Sequence, residues 1–356
     1  MGRELSVVGG GAIGLACALA AADAGWTTTV YDAGSASRAA HVAGGMLGCF
    51  GEGHPGERRI LDISAQSAAL WPDFLTRLGD PTVRTATDSI LLAASATDLA
   101  YLDDQVGFVR DRIPGATLAR STGAQLRRCE TALARGLAGG YLAEGEGAVD
   151  NRLLVAALEE RLGEAGGRIV RAGVDDPTEL PGDQILIAAG LGSAALAAVA
   201  GADISVHGEK GEILRLRRTR WSVPPPKHVI RGRRHGRPIY LVPRADAVVV
   251  GATQYEAVGS DDRVPQAGGV ADLLADAIAV MPGLSTYELA EAGAGIRPSS
   301  PDGVPVVQRI DDRILVATGH GRNGIALSPW TAARVMDVLA GEPRESREPR
   351  KLRESE

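Results

Sequence analysis

The sequence predicts an α/β protein of two domains: one built on a Rossmann-type parallel sheet, and an α+β domain built on a mostly antiparallel sheet. Three observations carry this. At 356 residues the chain is longer than one core of usual size needs. Its first 35 residues read as strand, glycine turn, helix and strand, which is a βαβ unit. Between residues 204 and 256 the pattern changes to strands of period two joined by short polar turns.

The elements follow in order. Leu5-Ser6-Val7-Val8 is a short apolar strand, and residues 15–24 are Ala- and Leu-rich without a breaker, a buried helix ending at Gly25. Thr27-Thr28-Thr29-Val30-Tyr31 is a β-branched strand that stops at Asp32. Residues 151–164 place Leu153, Leu154, Ala157, Leu158 and Leu162 in an amphipathic helical pattern. Residues 168–170 and 184–189 read as strands. Residues 213–217 alternate, and 239–242 with 248–250 form a hairpin. Helices are expected over 271–279 and 329–339, the latter with Pro329 near its first turn, and a strand over 314–316. Residues 342–356 carry ten charges and no apolar face, so that tail is expected to be disordered.

Composition excludes several classes. Glycine fills 46 of 356 positions, about double ordinary usage, without a collagen repeat. That points to tight turns and close approaches of backbone to a ligand. A net charge of −6 gives no footprint for nucleic acid, and the arginines at 215–220 and 231–237 read as solvated strand and loop faces. Cys17, Cys49 and Cys129 make no disulfide framework, so a reducing cytoplasm is expected. The six histidines show no metal spacing. The uncharged run 7–22 is interrupted by Gly9-Gly10-Gly11 and reads as strand, turn and helix rather than a secretion signal. The run 185–202 is too rich in Ala and Gly for a membrane span.

Gly9-x-Gly11-x-x-Gly14 lies between a strand and a helix. Gly9 makes the turn, Gly11 lets a pyrophosphate approach, and Gly14 lets helix and strand pack. The helix N-terminus that follows, led into by Ala12 and Ile13, presents N–H groups to phosphates. Asp32, 23 residues after Gly9, stands where a carboxylate accepts ribose hydroxyls. This is a dinucleotide site. Both FAD and NAD use such a unit.

The next segment narrows the choice. Ala39-Ala40-His41-Val42-Ala43-Gly44-Gly45-Met46-Leu47 is a small-residue loop that leaves room for a flat ring system, and here the chain resembles the D-amino-acid oxidase family of flavoproteins. Ile185-Leu186-Ile187-Ala188-Ala189-Gly190 resembles that family's second strand-and-glycine FAD contact. Tyr240-Leu241-Val242-Pro243-Arg244, Gly251-Ala252-Thr253, Ala294-Gly295-Ile296-Arg297-Pro298 and Gly319-His320-Gly321-Arg322-Asn323-Gly324 sharpen the likeness. In this order and spacing they resemble the glycine oxidases of thiamine biosynthesis, most closely the actinobacterial type, over about residues 5–340.

The resemblance implies non-covalent FAD held by the glycine motif, Asp32 and Ala33, Ala39, Ala40, Gly44, Gly45, Met46 and Val174. The loop His320, Gly321, Arg322, Asn323, Gly324 and Ile325 is implied to face the flavin. It implies that Arg297 holds a substrate carboxylate, that Tyr240 hydrogen-bonds it, and that Arg322 lies beside substrate and flavin. It further implies oxidative deamination of glycine, with sarcosine and small D-amino acids as further substrates, dioxygen as acceptor and thiazole synthase as a partner. A homo-oligomer without nucleic-acid or membrane partners is expected. An arginine fork is the chemistry such a substrate needs, since it meets a carboxylate with two parallel hydrogen bonds. The enzymatic rival is an amino-acid oxidase or dehydrogenase of other substrate range or acceptor; the rival of another class is a flavin-binding protein without turnover. His41 precedes the small-residue loop, where some relatives attach FAD to a histidine, and free FAD is the reading preferred here. No cysteine follows Cys129, so a C-terminal cysteine link is excluded.

The FAD-binding domain is expected to collect residues 1–80, 140–200 and 290–340. The substrate domain should come from 81–139 and 201–289, with the active site at the junction and Gln254 helping to line it.

Overall fold

The computed structural model describes residues 2–34, 38–256 and 262–341. The charged tail at 342–356 lies outside the described residues.

The opening unit forms as its pattern dictates. Strand β1 (Glu4–Val8), helix α1 (Ala12–Asp23) and strand β2 (Thr27–Tyr31) make a βαβ unit, with β1 and β2 parallel from Glu4 opposite Thr27 to Val8 opposite Tyr31. α1 has no polar face because it is covered nearly all round. Leu15, Ala16, Cys17, Ala18 and Ala21 are wholly buried against the sheet and the helices Asn151–Glu164 and Ser328–Ala340. Its alanines let those neighbours come close. The full sheet runs Val306–Arg309, Ile314–Thr318, Gln184–Ile187, β1, β2, Arg168–Val170, and only Val306–Arg309 is antiparallel to its neighbour.

The second sheet has nine strands. In order these are Tyr255–Glu256, His207–Arg217, Ala247–Gly251, Arg237–Pro243, Val229–Arg234, Ser89–Ala93, Gly139–Ala143 and Leu118–Thr122; Glu288–Ser299 pairs along the other edge of His207–Arg217. All pairs are antiparallel except Val229–Arg234 with Ser89–Ala93. Helix Ala267–Val280 covers one face, burying Leu273, Ala277 and Val280 against Leu214, Leu216, Leu241 and Val250. The other face is covered in part by helix Ala96–Arg112 over Leu91, Ala93 and Tyr141, and by Met46, Ala86 and Ala148 over Val229, Val242 and Val249.

Several expectations need adjusting. The strand expected over 184–189 stops at Ile187, where the chain turns into Gly190–Gly192, and the helix expected over 271–279 extends over Ala267–Val280. Gly139–Ala143 and Glu288–Ser299 were placed largely with the nucleotide domain; as strands they belong to the antiparallel sheet, paired to Ser89–Ala93 and to His207–Arg217. Half of the small-residue loop is a helical turn, Ala39–Val42. The basic clusters are not simply solvated. Arg215 is largely buried, donating to His41 O and Asn151 Oδ1, and Arg231 is paired to Glu52 in the interior. Period two sends alternate residues of each strand inward, so two of these arginines meet the lobe junction. No helix among the described residues is long and apolar enough to cross a membrane.

Candidate active site

A cavity of about 850 Å³ opens where the C-terminal ends of the parallel strands meet the face of the antiparallel sheet opposite helix Ala267–Val280. Val8, Tyr31, Ala188 and Ala317 mark the strand ends, while Leu91, Arg231, Tyr240 and Ile213 line the other side. These last four share one row across the sheet. Leu91 is opposite Arg231, Arg231 opposite Tyr240, Tyr240 opposite Gly251, and Gly251 opposite Ile213. Directly opposed residues share a face, so pairing alone collects them.

The nucleotide end is built from glycines that cannot be replaced cheaply. Gly9 has φ +119°, and a Cβ on it would stand 2.3 Å from Ala188 O. A Cβ on Gly14 would stand 1.9 Å from Gly9 O, so this residue lets α1 sit on the turn and does not line the cavity itself. Gly11 differs: a Cβ there would meet nothing within 4 Å. Gly11 caps α1 without a side-chain hydrogen bond, leaving first-turn N–H groups for a phosphate. Asp32 follows β2, is 4% exposed, and accepts from Gly34 N at 3.2 Å. It is flanked by the Arg38 and Arg171 guanidiniums. An open glycine before free helix N–H groups, with a nearly buried carboxylate beside it, fits a dinucleotide.

The small-residue segment is fastened from both lobes, by Asn151 of the nucleotide lobe and by Arg244 of the antiparallel sheet. Gly45 has φ +79°, and a Cβ there would stand 2.1 Å from Val149 O. Arg244 donates to Gly44 O at 3.0 Å and pairs with Asp150 at 2.9 Å. Asn151, wholly buried, donates to Ala40 O and His41 O at 2.7 and 2.8 Å. His41 is outside the cavity lining although Ala39, Ala40, Gly44, Gly45 and Met46 are in it. That placement suits a cofactor held without a bond to this histidine. Cys49 is buried, and burial pushes its thiol up, as for a packing residue.

The loop after Ile314–Thr318, which the sequence leads one to expect on the ring side, completes the cavity wall there with His320, Gly321, Arg322, Asn323, Gly324 and Ile325. Val174, Ala33 and Gln254 also line the cavity. His320 is buried, bonded through Nε2 to Thr331 Oγ1 at 2.9 Å, and burial pushes it down to about 3, so it is neutral. The substrate sheet is tied to this loop by the Ser299–His320 bridge and by Ser300 N donating to Gly319 O at 3.3 Å. Arg297, two residues before Ser299, is thereby fixed relative to the ring-side wall.

The two candidate arginines differ. Arg322 pairs with Glu52 at 2.6 Å and Glu57 at 2.8 Å. Burial works against its charge, but the two carboxylates outweigh burial and raise the guanidinium. Glu52 is also paired to Arg231 at 2.7 Å; burial opposes its ionisation, and the two arginines nevertheless hold it down at about 2. Arg297 has no ion pair among the described residues and lines the cavity, half-buried. Tyr240 stands nearby, and burial pushes its phenol up against the pull of Arg297, so its hydroxyl remains a donor at neutral pH.

Residues 4–338 match the model of the family described as FAD dependent oxidoreductase. The chain belongs to that family. FAD is therefore its cofactor, and the family's match spans both lobes. The chain is 29% identical to a glycine oxidase of Geobacillus kaustophilus, over 94% of this chain and 92% of that one. It is 30% identical to a Rhizobium etli protein described as a thiamine biosynthesis oxidoreductase, ThiO, over 95% and 97%. It is 29% identical to the bifunctional protein ThiO/ThiG of Trichormus variabilis, over 95% of this chain and 53% of that longer one. The crystal structure of glycine oxidase from Geobacillus kaustophilus superposes with a TM-score of 0.85, at 28% identity and 96% coverage of both chains.

Sequence reasoning missed Arg38, Arg171, Asn151, Arg231 and Glu52. Asn151 had a signal, standing just after an aspartate at a helix start, but nothing local shows that it reaches back to residues 40 and 41.

Proposed function

We propose that this protein is an FAD-dependent glycine oxidase, converting glycine, water and dioxygen to glyoxylate, ammonia and hydrogen peroxide. The observation that carries the reading is Arg297, an arginine without an ion pair among the described residues, in a cavity whose opposite wall is built of Gly9, Gly11 and Asp32. An unpaired guanidinium in a half-buried place has a strong demand for an anion, and an amino-acid carboxylate meets its fork with two bonds.

The lobes divide the work. FAD would be held by Gly9, Gly11, Ala12, Ile13, Asp32, Ala33, Ala39, Ala40, Gly44, Gly45, Met46, Val174 and the 320–325 loop, with Gly14 seating α1 behind the turn. When bound, FAD would supply the hydride-accepting chemistry at the substrate Cα and the reduction of dioxygen that follows it. Arg297 and Tyr240 hold the carboxylate and so fix where the Cα–H points. Arg322 shapes the wall through its pairing with Glu52 and Glu57 rather than by taking the carboxylate. Asn151 and Arg244 keep the small-residue segment closed against the ring side.

Sarcosine and small D-amino acids share the carboxylate and Cα–H and are further candidate substrates. The imine released before hydrolysis is suited to thiazole synthesis, which the likeness to a ThiO/ThiG protein supports. Free buried Cys17 and Cys49 support a cytoplasmic setting, and exposed Trp221, Val223 and Leu289 support a homo-oligomer. The test is steady-state turnover with glycine, sarcosine and D-alanine, reading peroxide and 2-oxo acid together. Equal amounts of both products from glycine are expected; no peroxide from any of the three overturns the reading.

A further inference from the structure

Arg297 and Tyr240 lie on bare backbone. Arg297 is paired opposite Glu209, which makes Gly211 its diagonal neighbour on the same face. A Cβ on Gly211 would stand 2.2 Å from Arg297 Nη2, 2.6 Å from Cζ and 2.8 Å from Nη1, so the whole fork rests where a side chain would be. The phenol repeats the arrangement. Tyr240 is directly opposite Gly251, and a Cβ there would stand 2.2 Å from the hydroxyl and 2.3 Å from Cζ. Gly44 approaches the same ring from the nucleotide lobe, where a Cβ would stand 3.0 Å from Cε2.

We propose that Gly211 and Gly251 are positioning residues for the carboxylate clamp, a proposal that rests on the reading of Arg297 and Tyr240 above. An arginine in an ion pair takes its position from its partner. Arg297 has no ion pair among the described residues, and the Tyr240 hydroxyl makes no hydrogen bond among them. What fixes both is shape: each group occupies a gap left by a missing side chain. The gaps lie on neighbouring strands, Gly251 directly opposite Ile213 and Gly211 two residues along the chain from it, so both donors converge on one part of the cavity. Any residue larger than glycine at 211 lifts the fork off the sheet. The fork is the far end of a flexible side chain, so it can swing away without disturbing the fold, and the clamp then misses its carboxylate.

The test uses FAD-loaded protein, with acetate as a carboxylate probe followed by the change in flavin absorbance, and glycine kinetics beside it. Gly211→Ala is expected to weaken acetate and raise KM for glycine by about 10- to 100-fold, the scale of an ångström of misplacement. FAD content and melting temperature should match the parent. Gly293→Ala is the control, since a Cβ there meets nothing closer than 3.5 Å, and it should behave as the parent. In an Arg297→Ala background the Gly211→Ala effect should shrink to within about twofold, because the two act through one contact. Gly251→Ala in parent and Tyr240→Ala backgrounds gives the same comparison should Gly211→Ala fold poorly. Parent-like acetate binding in Gly211→Ala, or an equal loss whether or not Arg297 is present, overturns the proposal. Acetate binding needs no turnover. A parent that binds acetate and loses it on Gly211→Ala, yet is never reduced by glycine, supports the positioning role and contradicts the glycine reading.

Discussion

Arg322 and Glu52 form an ion pair at 2.6 Å, and the same carboxylate takes Arg231 at 2.7 Å. The guanidinium of the ring-side loop is therefore already neutralised, with Glu57 as a second partner at 2.8 Å. Arg297 has no such pair among the described residues. Arg297 and Arg322 are chemically unlike, and their variants should differ.

Arg297→Ala should slow glycine-dependent flavin reduction by about 30- to several-thousand-fold, since truncating one side of a buried charged pair costs roughly 2–5 kcal/mol. Arg297→Lys should recover part of this, because a point charge cannot copy two parallel bonds. Arg322→Ala should change the glycine KM by less than about tenfold, because partly exposed ion pairs contribute roughly 0–1 kcal/mol. Bound FAD, read by absorbance, should stay near normal in the Arg297 variants. A larger KM effect from Arg322→Ala than from Arg297→Ala would move the clamp to Arg322.

Gly11→Val and Gly14→Val should fail in different ways. At Gly14 the first added carbon would meet Gly9 O at 1.9 Å, so the turn or α1 must move and little folded protein is expected. At Gly11 the added carbon meets nothing within 4 Å, so the fold should survive while the pyrophosphate is displaced. Circular dichroism with flavin absorbance separates the two. A folded Gly11→Val protein with full FAD content is incompatible with the assigned cradle.

His320 carries a pH signature. Burial holds it down at about 3, whereas an unfolded histidine titrates near 6.5. As pH falls below about 6.5 the unfolded chain takes a proton that the folded chain refuses, so stability is lost between there and about 3. Between pH 7 and pH 5 this one group accounts for about 2 kcal/mol, at roughly 1.4 kcal/mol per pH unit below 6.5. Urea unfolding of the holoprotein at both pH values should show the parent losing that much more than His320→Gln, whose amide can still reach Thr331. Equal losses in parent and variant would mean that His320 takes up its proton in the folded state.

The βαβ unit was legible because each of its signals is local: Leu5-Ser6-Val7-Val8, the glycine turn, the breaker-free helix and Asp32 act within one turn of their own backbone. The hairpin of Arg237–Pro243 and Ala247–Gly251 was legible for the same reason. What stayed hidden depends on distant pairing. Nothing near Glu288–Ser299 shows that it runs along His207–Arg217, and this pairing lays Arg297 over Gly211. Arg231 looked like one member of a surface cluster until its register opposite Tyr240 turned it inward toward Glu52. Asn151 fits its helix start equally well whether or not it fastens Ala40 and His41, 111 and 110 residues away.

The central claim is that a flavin in the cradle of the parallel sheet meets a glycine held by Arg297 from the antiparallel sheet. The most direct measurement is the visible spectrum of the purified yellow protein on anaerobic addition of glycine, followed by air. The predicted result is loss of the oxidised flavin absorbance with glycine alone, then its return on aeration with one peroxide formed per flavin. Protein that keeps its full oxidised spectrum at every glycine concentration, with FAD demonstrably bound, would contradict the account.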